Sequence, residues 1–170
     1  GRDTETVRYH LLALRGRHPG PPLRVPDMQA STVVSLVVPF YNEGAGVDAF
    51  FKAISATLAS VDAVAFEFVC IDDGSKDDTL ARLLAASQSD PRIKILELSR
   101  NFGKEAALTA GLDAATGDAV IPMDADLQDP PELIIRMIEK WRLGADVVLA
   151  RRIDRNGDSV AKRGTANLFY

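Results

Sequence analysis

In "IPMDADLQDP", Asp124, Asp126, Gln128 and Asp129 follow directly on a short apolar run. If the backbone stays extended, Asp124 and Asp126 face the same side, because strand side chains repeat every second residue. Carboxylates held so close repel, and one takes up a proton unless a cation sits between them. Oxygen ligands of this kind select Mg²⁺ or Mn²⁺, ions that keep open positions for water or for a substrate's phosphates. Gln128 offers a further, neutral oxygen. Asp129 reads instead as a helix cap, with Pro130 at a position that needs no donor and Glu132 three residues beyond it.

Two more polar clusters carry compatible chemistry. In "PFYNEG", Tyr41 offers a flat ring, while Asn42 and Glu43 offer polar contacts. In "DDGS", Asp72 and Asp73 point in opposite directions, so one carboxylate faces a crevice and the other secures the loop. Gly74 permits the turn, and Ser75 caps a helix with Asp78 three residues on. "SRNFGKEAAL" sets Arg100 and Lys104 around a helix start, where the helix dipole and two cations favour phosphate.

The elements that must position these residues alternate strand and helix. Strands are expected at "VVSLVVPF", "FEFVCID", "RIKILEL", "AVIPMD" and "ADVVLA". The first helix presents Val47, Phe50, Phe51, Ile54 and Leu58 at helical spacing, and the second turns Leu80, Leu83 and Leu84 inward. "GKEAALTAGLDAATG" is a third helix, closed by Gly117. The fourth buries Leu133, Ile134, Met137, Ile138 and Trp141. Such alternation implies right-handed crossovers and a mainly parallel sheet with helices on both faces. Ligands then sit beyond the carboxyl ends of the strands, where all three clusters fall.

Composition narrows the classes. The chain has 170 residues, 46% hydrophobic and 26% charged, with a net charge of −4. No basic excess favours nucleic acid. No run approaches the roughly 18 apolar residues of a membrane span. The single cysteine, Cys70, cannot form an internal disulfide and reads as a small buried hydrophobe. Residues 1–31, rich in Arg, Pro and Gly, read as a poorly ordered extension, leaving 32–170 as the domain. His10 and His18 fall in that extension with no metal-ligand spacing around them.

Taken together, the clusters suit a nucleoside diphosphate, with base contacts, a bridging metal and cationic help. A phosphoryl-aspartate receiver would carry its acids after the first and third strands. A paired-carboxylate glycosidase leaves the nucleotide-like half unexplained. A sugar-1-phosphate nucleotidyltransferase would need a Gly-rich cationic loop after the first strand, and "PFYNEGAG" has no cation. No G-x-G-x-x-G or G-x-S-x-G pattern is present.

"VVPFYNE", "CIDDGSKDDT", "LSRNFGKEAALTAGLDAATGD", "IPMDADLQDPPELI" and "GADVVLARRIDR" resemble, in that order, the family 2 glycosyltransferases. The likeness is greatest to bacterial polyprenyl-phosphate glycosyltransferases related to dolichol-phosphate mannose synthase, and it runs from about Val33 to Tyr170. It implies a glycosyltransferase A-type, Rossmann-like α/β fold, C-terminally incomplete here, in which a nucleotide-binding half joins an acceptor half. By that likeness Pro39, Tyr41 and Glu43 line the nucleotide pocket and Asp73 contacts the base. Asp124, Asp126 and Gln128 hold Mg²⁺ or Mn²⁺ against the diphosphate. Lys104 contacts phosphate or sugar, and Arg152 contacts substrate.

The implied reaction is inverting transfer of a sugar from a nucleoside-diphosphate sugar to a polyprenyl phosphate such as undecaprenyl phosphate. Uracil is favoured over guanine as the base. The implied place of work is the cytoplasmic side of the inner membrane for the full-length protein, with this chain itself soluble. Relatives of this kind continue well past the position of Tyr170 with an acceptor-side segment. The chain is therefore expected to bind donor and metal and to transfer sugar poorly alone. Lys162, Arg163, Leu168, Phe169 and Tyr170 would begin an interfacial membrane helix. A non-catalytic sugar-nucleotide-binding module is the alternative. Neither the sugar nor the oligomeric state is legible.

Overall fold

The computed structural model describes residues 32–150. The expected N-terminal extension, Arg152 and the expected interfacial segment lie outside the described residues. Four strands form one parallel sheet: β1 (Thr32–Phe40), β2 (Val64–Asp72), β3 (Ile93–Glu97) and β4 (Ala119–Pro122), in the order β3-β2-β1-β4. The helices between and after them are α1 (Val47–Leu58), α2 (Thr79–Ser89), α3 (Lys104–Ala114) and α4 (Glu132–Arg142). A short 3-10 turn, Gly44–Gly46, precedes α1.

The order has a functional consequence. Two crossovers step in one direction, from β1 to β2 to β3, and the third returns past β1 to β4. Right-handed crossovers that reverse direction must place their helices on opposite faces. The core divides accordingly. Val34, Leu36, Val38 and Phe40 of β1 meet Phe50 and Ile54 of α1, Leu83 of α2 and Ile134 and Met137 of α4 on one face. Val37, Val69, Ile71 and Val120 meet Ala107 of α3 on the other. The chain leaves β1 and β4 toward the same face, that of α1 and α4, while α3 approaches from the other, and ligands are expected beyond the carboxyl ends of these strands.

Close packing of α3 rests on a missing side chain. A Cβ at Gly111 would collide with the side chains of Val37 and Ile71. The helix therefore lies nearer the sheet than a larger residue allows. Cys70, fully buried in β2, is the small core residue expected of it.

Several local expectations are corrected. The strand over "ADVVLA" does not form: among the described residues, 145–150 have no ladder partner, although their alternation survives as packing. Val148 and Ala150 lie against the core while Val147 and Leu149 stay exposed. Helix α2 begins at Thr79, and Ser75 does not cap it. The Ser75 hydroxyl instead accepts the Asn42 N–H at 3.0 Å, so that residue ties two loops together. Leu84 is exposed and Leu80 half-buried; only Leu83 of that trio reaches the core.

Nor does Asp129 cap α4, which starts at Glu132 behind Pro131 with no side-chain cap. A cap at Asp129 would bond the second or third residue beyond it, and the second, Pro131, has no N–H. Finally, β4 stops at Pro122, and a turn at Ala125–Asp126 with Leu127 at φ 56° replaces the extended run on which the Asp124–Asp126 alternation was drawn. Of the expected α4 core, Ile134, Met137 and Ile138 are buried, while Leu133 and Trp141 are half-buried. Among the described residues no helix is long and apolar enough to cross a membrane.

Candidate active site

A cavity of about 250 Å³ lies beyond the carboxyl ends of β1, β2 and β4. Pro39, Phe40, Tyr41 and Glu43 enter from the end of β1, and Asp73 from the end of β2. Asn101 and Lys104 enter from the approach to α3, and Asp124, Ala125 and Asp126 from beyond β4. Eight of the residues singled out from sequence are thus accounted for as follows. Pro39, Tyr41, Glu43, Asp73, Lys104, Asp124 and Asp126 line one cavity. Gln128 does not; it is exposed, and its backbone N–H donates to Asp126 Oδ1 at 3.1 Å.

Each wall has a local cause. The β1 loop is latched to the β2 loop by side chains from both loops. Glu43 N–H donates to Thr79 Oγ1 at 2.9 Å, Gly44 N–H to Asp77 Oδ2 at 3.0 Å, and Lys76 N–H to Asn42 Oδ1 at 2.8 Å. Hydrogen bonds from the Thr79 hydroxyl and N–H hold the Asp77 carboxyl below its ordinary range. Asn42 takes up φ 54°, a left-handed conformation that asparagine tolerates better than most residues. A Cβ at Gly44 would displace the Asp78 carboxylate from its place. No sequence signal marked this latch, because its partners lie more than thirty residues apart.

Asp73 does two jobs at once. It lines the cavity, yet it is almost wholly buried, and its oxygens accept the N–H groups of Phe102 at 2.8 Å and Gly103 at 2.9 Å. The carboxylate thereby fixes the turn into α3, where Gly103 adopts φ 95°. Asp72 faces the opposite side of β2 and accepts the Ser75 N–H at 3.2 Å; its Oδ1 has no partner among the described residues. Gly74, at φ 67°, lies so close to the backbone of Arg100 and Asn101 that any Cβ would overlap it. Arg100 does not join the cavity. Its guanidinium sits 4.5 Å from the centroid of the Phe102 ring, and the neighbouring Asn101 takes the lining position instead.

Lys104, first residue of α3, reaches across to Asp124, with Nζ 2.6 Å from Oδ1 and 2.8 Å from Oδ2. No group of three or more His, Cys, Asp or Glu stands ready for a metal among the described residues. The donor set still fits a hard divalent ion. Mg²⁺ is commonly held by one or two carboxylates plus substrate phosphates rather than by an all-protein cage, and Asp124 and Asp126 line the same cavity.

A second polar cluster, not anticipated from sequence, lies at the far end of the sheet. Glu67 on β2 accepts from the Ser35 hydroxyl, from Thr116 N–H at 2.6 Å and Oγ1 at 2.8 Å, and from Lys94 Nζ. Burial alone would push the Glu67 carboxyl up, but the bonds from Lys94, Ser35 and Thr116 outweigh it and lower its pKa to about 2.

Residues 35–168 match the glycosyl transferase family 2. The chain belongs to that family. Among curated relatives, the bactoprenol glucosyl transferase of Shigella phage SfX is 52% identical over 137 residues, 81% of this chain and 45% of the relative. The chain spans less than half the length of the curated relatives it matches. Two solved glycosyltransferase A-type structures share the fold. A Pyrobaculum calidifontis mannosyltransferase, in complex with GDP-Man and Mn²⁺, has TM-score 0.56 and 27% identity over 75% of this chain and 36% of that one. Glucosyl-3-phosphoglycerate synthase from Mycobacterium tuberculosis, with Mn²⁺, UDP and glucosyl-3-phosphoglycerate, has TM-score 0.53 and 25% identity over 77% and 48%. The family 2 chain thus has an α/β sheet of the expected kind, with its acidic cavity at the carboxyl end of the sheet.

Proposed function

We propose that this chain builds the donor site of a metal-dependent, inverting glycosyltransferase that moves a sugar from a UDP-sugar to a polyprenyl phosphate. One observation carries the reading: Asp124, Asp126 and Lys104 converge with Tyr41, Glu43 and Asp73 on a single cavity at the carboxyl end of the sheet. The names of the relatives support the acceptor class, and the UDP and Mn²⁺ in one solved neighbour support the donor and metal. That the other neighbour holds GDP-Man leaves the base to be tested.

Each residue has a chemical task in this reading. Tyr41, 42% exposed, offers its ring to a base, with Pro39 shaping the wall beside it. Asp73 already accepts two N–H groups, and an ionised carboxylate has lone pairs left for a base N–H. Glu43 serves the ribose or base. Asp124 and Asp126 would hold Mg²⁺ or Mn²⁺, with Gln128 adding its oxygen or orienting a bound water. When bound, the ion supplies Lewis-acid stabilisation of the departing diphosphate. Lys104 and the amino end of α3 add positive potential beside it. Arg152, outside the described residues, is assigned a substrate contact.

A polyprenyl phosphate is a phosphate monoester with a second pKa of about 6, so it is largely anionic at neutral pH. It needs less deprotonation than a sugar hydroxyl, and positioning with charge stabilisation carries the rate. The test is transfer of labelled sugar from UDP-glucose to undecaprenyl phosphate by the protein supplied with Mn²⁺. Transfer with anomeric inversion, reduced roughly 100-fold or more in Asp124→Asn/Asp126→Asn, is expected. Nucleotide binding without transfer to any polyprenyl phosphate would instead mark a sugar-nucleotide-binding module.

A further inference from the structure

Both oxygens of Asp124 face one ammonium, that of Lys104. The pair is not a rigid strut: the side chains are 59% and 43% exposed for Lys104 and Asp124. Ion pairs this accessible contribute little stability and exchange readily. The starting point of Lys104 is nevertheless fixed, because the preceding residue, Gly103, has its N–H held by buried Asp73. A flexible four-carbon stem thus swings a unit charge from a defined root within the cavity.

We propose that Lys104 is the resident counter-cation of Asp124, surrendering that carboxylate to a divalent ion only when a diphosphate arrives to receive the ammonium. This rests on the donor-site reading above and adds a coupling to it. A divalent ion entering alone must push Lys104 off Asp124 into water, and the two cations repel. A diphosphate entering alone meets Glu43, Asp124 and Asp126 while Lys104 remains committed to Asp124. When both enter, the ion takes the carboxylate and the ammonium takes the diphosphate, so every charge is matched. Metal and nucleotide therefore bind with positive linkage, and each raises the affinity of the other by the same factor.

The test measures free Mn²⁺ by its electron paramagnetic resonance signal in titrations of the protein, with and without UDP. A Lys104→Met variant and a Lys104→Arg variant that keeps the charge are compared, with thermal unfolding as the folding control. For the natural sequence, UDP is expected to tighten Mn²⁺ binding by roughly tenfold or more, within the usual range of coupling between sites. In K104M, Mn²⁺ alone should bind several-fold tighter, about three- to tenfold, and most of the UDP-linked gain should vanish. K104R should keep the coupling. If the natural sequence shows Mn²⁺–UDP coupling and K104M leaves both the metal-only affinity and the coupling unchanged, the counter-cation role is overturned while the donor site stands. If the folded protein binds neither Mn²⁺ nor UDP, the donor-site reading fails, and the coupling with it.

Discussion

Glu67 in β2 and Asp73, the residue just past its carboxyl end, grip opposite ends of α3. Asp73 holds the N–H groups of Phe102 and Gly103 ahead of the helix, and Glu67 holds Thr116 behind it. The lengths agree: six strand residues span about 20 Å, as do thirteen residues at helical rise. Two carboxylates, one inside β2 and one just past its end, thus set the height of the helix that carries Lys104.

The Glu67 end of this clamp predicts acid sensitivity. Its carboxyl is depressed from the ordinary 4.5 to about 2 in the folded state. A depressed folded pKa contributes stability that is complete above about 4.5 and disappears as pH falls toward 2. The full shift corresponds to on the order of 3 kcal/mol, an upper figure because the Lys94 partner is half exposed. Urea unfolding at pH 7, 4 and 3 should show the loss in the natural sequence. Glu67→Gln should be about 2–3 kcal/mol less stable at pH 7 and lose less on acidification.

Asp73→Ala strips both acceptors from two part-buried N–H groups and should cost about 2–4 kcal/mol. Asp73→Asn keeps one acceptor oxygen and should cost about half as much. Chemical denaturation ranks the two; equal costs would mean that the carboxylate is not the anchor of the α3 turn.

Gly111→Ala pits helix propensity, a gain of about 1 kcal/mol, against a collision with fully buried Val37 and Ile71. Overpacking of this kind costs about 1–3 kcal/mol, so a net loss near 1 kcal/mol is expected, and a larger one for Gly111→Val. A rise in melting temperature on Gly111→Ala would show that α3 can lift without penalty.

Cys70 should be inert while the protein is folded. Burial pushes its thiol up to about 12, so almost no thiolate exists at pH 8. Reaction with a thiol-directed disulfide reagent should follow the unfolding rate and become immediate in denaturant.

Legibility of the fold followed periodicity. Val47, Phe50, Ile54 and Leu58 repeat at helical spacing and are buried as read, because burial of one stripe needs only local pattern. The three polar clusters at strand ends were legible for the same reason: strand direction fixes which end they occupy. What was illegible depends on distant partners. Ser75 looks like a cap until Asn42, thirty-three residues away, claims its hydroxyl. Glu67, inside an apolar strand, gave no hint of Lys94 and Thr116. "ADVVLA" has strand composition, but pairing depends on a neighbouring strand, and none lies beside it among the described residues. Asn101 was missed because the adjacent Arg100 carries the charge that draws attention, while its guanidinium is spent on Phe102.

The central claim is that the Asp124–Asp126 cavity captures a nucleoside diphosphate through a divalent ion. Its most direct test is calorimetric titration of UDP and of GDP with and without Mn²⁺, repeated on Asp124→Asn/Asp126→Asn. The expected result is Mn²⁺-dependent binding, stronger for UDP, that the double variant loses while remaining folded. Binding that ignores Mn²⁺, or that survives the double substitution unchanged, would contradict it.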